Sequence, residues 1–294
     1  MEYLREWRWV RVARAMPPTL RQRRLAAELR KLRERAGLTS TMAATCVGVQ
    51  QARMSMIEAG RYAVSADRVR AMANSYSCDD AALVDAMTEM TGGRERGWWD
   101  EYRELLPAGL IEVAECEHWA TSVRVGVVVS VPGLVQTLEH ARAMFRQSVP
   151  QLRPHEIEHR ASFRVKRQAV LFREVTLPYT AIVHEAALRM RFGGPEVTRA
   201  QLLHMAAMME QDNVTIRVIP FERQDFPAAG QPITYVAGQV PQLDTVVLDS
   251  DHGCDFLDAE AQLARYRSVL DRMESCALSP AQSRDFVHKI ARSL

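Results

Sequence analysis

Residues 38 to 60 run LTSTMAATCVGVQQARMSMIEAG, and two glycines in this stretch fix what it can fold into. A tight turn needs a residue that tolerates positive φ, and Gly48 supplies it with no Cβ to clash. Gly60 closes the segment in the same way. Thr39 has the side chain of a helix N-cap, so the spacing predicts a first short helix from Ser40 to about Val47. Ala43 and Ala44 are small enough to let that helix approach a neighbour closely. After the turn, a second helix from Gln50 to Ala59 points Val49, Met54 and Ile57 inward. The opposite edge carries Gln51, Ala52 and Arg53, with Met56 one turn on.

The surrounding pattern encloses this pair. Residues 20–36 form a helix with a stripe of Leu25, Leu29 and Leu32, arginines on the other face, and Gly37 at the C′ position. A fourth helix covers Ala66 to about Tyr76, with Val69, Met72 and Ala73 inward, and a fifth covers Asp80 to Met90. Five short helices make a compact all-α head over residues 19–91. Its central pair has the layout of a helix-turn-helix, whose second helix lies in the major groove of DNA. On that reading Gln51 pairs with adenine, Arg53 with guanine or with a phosphate, and Ala52 touches a thymine methyl, with Met56 beside them. Thr39, Ser40, Gln50, Ser55, Arg61, Arg33 and Arg35 are the backbone-contact candidates. For each of these arginines the alternative is a solvated side chain. Glu58 either caps locally or pairs with Arg33 or Arg35.

Charge supports a head and a body of different character. The first 70 residues hold 15 Lys+Arg against 6 Asp+Glu, while the whole chain of 294 residues is only +2. A basic block on an acidic remainder fits a DNA-binding head; the alternative is an Arg-rich solvated face. The length suits about two domains. The 5 cysteines are scattered without a CxxC pair, which argues against a disulfide framework or zinc knuckle and for a reduced, cytoplasmic setting near the nucleoid. No apolar run reaches the roughly 20 residues of a bilayer span, so no membrane partner is expected. The opening residues have no apolar stretch fit for a signal peptide.

Residues 1–18 carry Trp7, Trp9 and Arg5, Arg8, Arg11 and Arg14 at three-residue spacing, which suits either a basic arm on DNA or a frayed tail. Residues 92–110 read as a linker helix anchored by Trp98 or Trp99. Residues 111–294 read as a mixed α/β domain with a small sheet wrapped by helices, so the fold class is α+β with two main domains. Helices are expected at 134–147, 154–173, 197–211, 258–276 and 280–293, and strands at 178–183, 214–220, 232–238 and 244–249.

The head resembles the XRE, or phage-repressor-like, helix-turn-helix family. The matches are Leu38, Thr39, Ala44, Gly48, Val49, Met54, Ser55, Ile57, Glu58 and Gly60. Ser40 stands where the family usually has a phosphate-contacting Gln, Ala43 where it has a core Leu, Gln50 where it has a Ser/Thr cap, and Met56 where Arg or Lys is common. Losing a cap costs about 0.5–2 kcal/mol. The remainder, through VPGLVQTLEHARAMF, the run Arg164 to Arg173, HEAALRMRFGG, QLLHM, VIPF and CALSPAQSRDFVHKI, is similar to actinomycete XRE regulators with a large C-terminal domain of unknown function. That resemblance implies an operator-binding homodimer, and a second domain that receives a small-molecule effector or a small acidic protein from an adjacent gene. It also implies an alternative role: an antitoxin-like or developmental protein that sequesters such a partner, with DNA binding as autoregulation.

His184-Glu185 and the string Asp249 to Asp255, with His252 and Cys254, are the dense polar clusters outside the head. Catalytic and metal sites need ligands converging from several elements, and one string does not supply them. Glu185 is expected to pair with Arg189 one turn on. Met205, Met208 and Met209 share a helix as core, or alternatively as a pliable binding face. No catalytic residue, metal ligand or cofactor is assigned.

Overall fold

The computed structural model describes residues 17–92, 96–227, 230–250 and 252–294. The Arg/Trp repeat of the first sixteen residues therefore lies outside the described part, as does Asp251.

The head is helical throughout. Helix α1 (Leu20–Arg35) starts at Thr19, whose side chain accepts from Gln22 N while Gln22 reaches back to the Thr19 backbone. This reciprocal capping satisfies two donors that a helix start leaves open. Helix α2 (Ser40–Cys46) is capped by Thr39, and α3 (Gln51–Glu58) begins at Gln50 with no side-chain cap. Gly48 between them has φ +66°. Helices α4 (Ala66–Ser75) and α5 (Ala81–Glu89) are capped by Ser65 and Asp80. Leu25, Leu29, Ala44, Met54, Ile57, Val69, Met72 and Leu83 fill the core. Gly60 (φ +69°) sits where a Cβ would lie 3.2 Å from the Gln22 carbonyl, so α1 and the end of α3 pack backbone to backbone.

The link to the body differs from the expected continuous helix. Trp98–Tyr102 is a single 3₁₀ turn, and a regular helix, α6 (Ala108–Trp119), begins only after Pro107. Trp99 is buried, as a linker anchor requires, and Trp98 lies 5.2 Å from the ring of Phe163.

The body is the expected mixed α/β domain, a sheet wrapped by helices, with six strands where the sequence marks four. After α6 come β1 (Ser122–Val127), α7 (Leu138–Phe145), α8 (Pro154–Arg167), β2 (Tyr179–His184), α9 (Glu185–Arg189), α10 (Pro195–Met208) and β3 (Val214–Ile219). Then follow β4 (Ile233–Ala237), β5 (Thr245–Ser250), β6 (Gly253–Leu257), α11 (Glu260–Cys276) and α12 (Pro280–Arg292). The strand order is β3-β2-β1-β4-β5-β6. The β1–β2 and β2–β3 pairs are parallel and are joined through helices, whereas β4 to β6 form an antiparallel meander. Along β1 (SVRVGV) the buried valines alternate with Ser122, Arg124 and Gly126, and half-buried Arg124 pairs with Asp271 and Glu274 of α11. One face packs on α10 and α12 through Leu202, Met205, Val287 and Ile290; the other packs on α11 through Leu263, Leu270 and Met273. Met205 and Met208 are therefore core.

Head and body meet along the face of α1 opposite its leucine stripe. Arg24 is buried at this seam and donates to Asp258 (2.9 Å), Thr245 (3.2 Å) and the carbonyls of Gln242 (2.9 Å) and Asp244 (3.3 Å). Arg23 pairs with Glu112 at 2.8 Å, and Lys31 donates to the Asp258 carbonyl at 2.8 Å. The β4–β5 loop completes the seam. Asp244 fixes its shape by accepting from Tyr235 Oη (2.5 Å) and Gly238 N (2.9 Å), while Val240 and Leu243 pack against the core of the head.

Candidate nucleic-acid interface

Burial alternates along α3 with helical period. Met54 and Ile57 are fully buried, and Gln51, Ala52, Arg53, Ser55 and Met56 are exposed. Gln50, exposed and free of a capping bond, extends this edge at the helix start. Gln51 Nε2 donates to Ser55 Oγ at 3.1 Å, one turn along the same face. Arg53 folds back: its guanidinium carbon lies 4.3 Å over the ring of Tyr62, and Nη2 donates to the Tyr62 hydroxyl. Tyr62 was not among the sequence candidates, although its place in GRYA just beyond the helix puts it within an arginine's reach. An arginine stacked on an exposed tyrosine is held by a contact worth about 0.5–1 kcal/mol, little enough for a stronger partner to replace.

The backbone-contact candidates separate into three groups. Arg61 is exposed beside the end of α3, and Thr39 is exposed but committed as a cap, accepting from Met42 N at 3.2 Å. Ser40 is half-buried and its hydroxyl is shielded without a partner, so it does not present a donor at the surface. Arg33 is withdrawn from the surface, and Arg35, though exposed, turns toward the body. Arg33 is buried and forked onto Glu58 at 2.5 and 3.1 Å, with a further bond to the Leu38 carbonyl at 2.7 Å. It therefore locks α1 to α3, and the bond to Glu58 holds its guanidinium charged by raising its pKa. Arg35 lies on the side of α1 that faces the body, 3.7 Å from Glu260. Helical periodicity could not separate these cases, since it places a residue on a face but not what covers that face.

Of the polar clusters of the body, His184 and Glu185 are structural ties. Glu185 is buried, pairs with Arg189 at 2.6 Å and accepts from Phe221 N at 2.9 Å. His184 caps α9 and packs against Phe221 and Phe226. Cys254 lies opposite Asp249 in the β5–β6 pair, with Sγ 3.8 Å from Oδ1. Among the described residues no three His, Cys, Asp or Glu side chains are grouped to hold a metal, and no helix is long and apolar enough to cross a membrane. The five cysteines are free.

The comparisons with known families agree with this division. Residues 24–87 match a helix-turn-helix domain, spanning most of α1 through α5. Residues 110–289 match a domain of unknown function, DUF5753, which takes in the sheet and nearly all of its helices. No curated protein and no solved structure matches the chain. The head thus points to DNA binding and regulation, and the second match, extending over more than half of the chain, shows that the protein belongs to the DUF5753 family.

Proposed function

We propose that the chain is a sequence-specific transcription regulator that reads an operator with α3. Gln51, Ala52, Arg53 and Met56 face the bases, and Gln50, Ser55, Thr39 and Arg61 face the phosphates. One observation carries the reading: the outward edge of α3 is exposed, while the body occupies only α1, the neighbouring part of α5 and the core beneath them. Nothing among the described residues covers the edge that would enter the groove. In this reading the body, residues 111–294, supplies dimerisation and sensing, and two half-sites lie about one helical turn apart.

The test is a footprint and a gel-shift titration on the DNA upstream of the chain's own coding region, at rising salt. Protection of a near-palindrome is expected, with affinity falling steeply as salt rises. Gln51→Ala should relax base preference at one position of each half-site, with a cost of about 1–3 kcal/mol. A protein that binds neither that DNA nor random fragments at low salt would sink the proposal.

A further inference from the structure

A cavity of about 350 Å³ lies between head and body, a volume within the roughly 300–1,000 Å³ range of small-molecule sites. Its walls come from both parts: Leu20, Ala86 and Met90 from the head, and Glu115, Trp119 and Val236 from the body. They are mainly apolar. The charges at their edge decide which class of ligand fits.

Arg24 is fully committed to its four acceptors in the seam. Arg21 is held as well, 3.8 Å over the Trp119 ring and donating to the Glu89 carbonyl at 2.5 Å. Neither is set to receive an anion. Glu115 differs. It is only 4% exposed, accepts from Leu20 N at 3.2 Å and from the Thr19 hydroxyl, and makes no ion pair among the described residues. Burial pushes its carboxyl above the usual range. A carboxylate out of water is stabilised by a cation beside it, and a ligand can bring one. Next to it stands the Trp119 indole, which carries Arg21 over one part of its ring and lines the cavity with the rest, where an aromatic ring can pack against it.

We propose that this cavity binds a small aromatic amine, with its ammonium on Glu115 and its ring against Trp119, and that occupancy changes the pose of the head and hence its grip on DNA. The second half rests on the DNA-binding reading above. A ligand that touches both walls has different affinities for different head–body poses, which is the condition for shifting between them.

Calorimetric titration of the full chain with tryptamine tests the site, with indole-3-acetate as the anionic control and indole as the neutral one. Saturable one-to-one binding of tryptamine is expected, with both controls at least roughly tenfold weaker. Glu115→Gln keeps an acceptor for Leu20 N but removes the charge, and Ala86→Leu fills the space without touching any charge. Each should weaken tryptamine roughly tenfold or more while the melting curve stays cooperative. Absence of tryptamine binding, equal binding of indole-3-acetate, or indifference to both substitutions overturns the site.

A gel-shift series with and without tryptamine reads the coupling, where a shift of about fivefold or more in DNA affinity is expected. Tryptamine binding by a chain that never binds DNA leaves the site standing and removes the regulator reading. DNA binding without tryptamine binding does the reverse. Binding of both with no mutual effect overturns the coupling.

Discussion

The outward edge of α3 and the inward face of α1 are both arginine-bearing helical surfaces of one small head, yet they are used in opposite ways. Along α1, Arg24 and Arg33 are buried and forked onto carboxylates and carbonyls. Along α3, Gln51 bonds to its neighbour Ser55, and Arg53 rests on an exposed tyrosine. A surface whose polar groups are already satisfied is architecture. One whose groups hold only weak local partners can exchange them for a ligand at small cost.

The sharpest way to break this contrast is Arg24→Ala. It leaves the Thr245 hydroxyl and two carbonyls without this donor and leaves Asp258 with Lys31 alone, and should remove about 2–4 kcal/mol of stability in denaturant unfolding. Amide exchange should speed up across α1 and residues 241–245. Unchanged exchange there would mean that the seam is not held by this arginine.

A buried imidazole without a hydrogen bond gives the next largest effect. His140 is 1% exposed, packs edge-on to Phe192, and neither ring nitrogen has a hydrogen-bond partner among the described residues; burial, with a smaller contribution from Arg164, holds it down to about 4 from 6.5. Between those values the unfolded chain takes up a proton that the folded chain refuses. Stability present at neutral pH is therefore lost as pH falls from about 6.5 to 4, on the order of 2–3 kcal/mol. Stability curves of His140→Phe and the parent protein over that range should diverge by this amount; parallel curves would show that the imidazole is wet.

On the open side, Arg53→Ala should leave the melting temperature within a degree or two and weaken operator binding by about 1–3 kcal/mol. A comparable loss on random DNA would reassign it to phosphate. Arg61→Ala is the mildest. Gel shifts across a salt series should show the slope of log affinity against log salt reduced by about 0.9, with base preference unchanged.

The head was legible because its signals are local. Thr39, Ser65 and Asp80 sit where caps belong, Gly48 where a positive φ is needed, and the apolar spacing has helical period. Four strands were found from β-branched runs. The other two lack such a run: β1 (SVRVGV) is interrupted by Arg124 and Gly126, and β6 (GCDFL) follows a polar string that reads as a loop. The candidate interface was legible as a helix edge, but not in its arginines. Arg33 and Arg35 look like Arg53 in the sequence. The sequence leaves Glu58 open to either Arg33 or Arg35; packing gives it to the first and turns the second toward Glu260. The bonds of Arg24 link residues more than two hundred positions apart, beyond any local pattern.

The body also lends side chains to the head, since Val240 and Leu243 reach from the β4–β5 loop onto its core. A head excised at the linker would lose that wedge and expose greasy surface, and a head transplanted onto another body would meet an unfamiliar loop. Interchange of reading heads among such chains should therefore succeed only when the wedge travels with them.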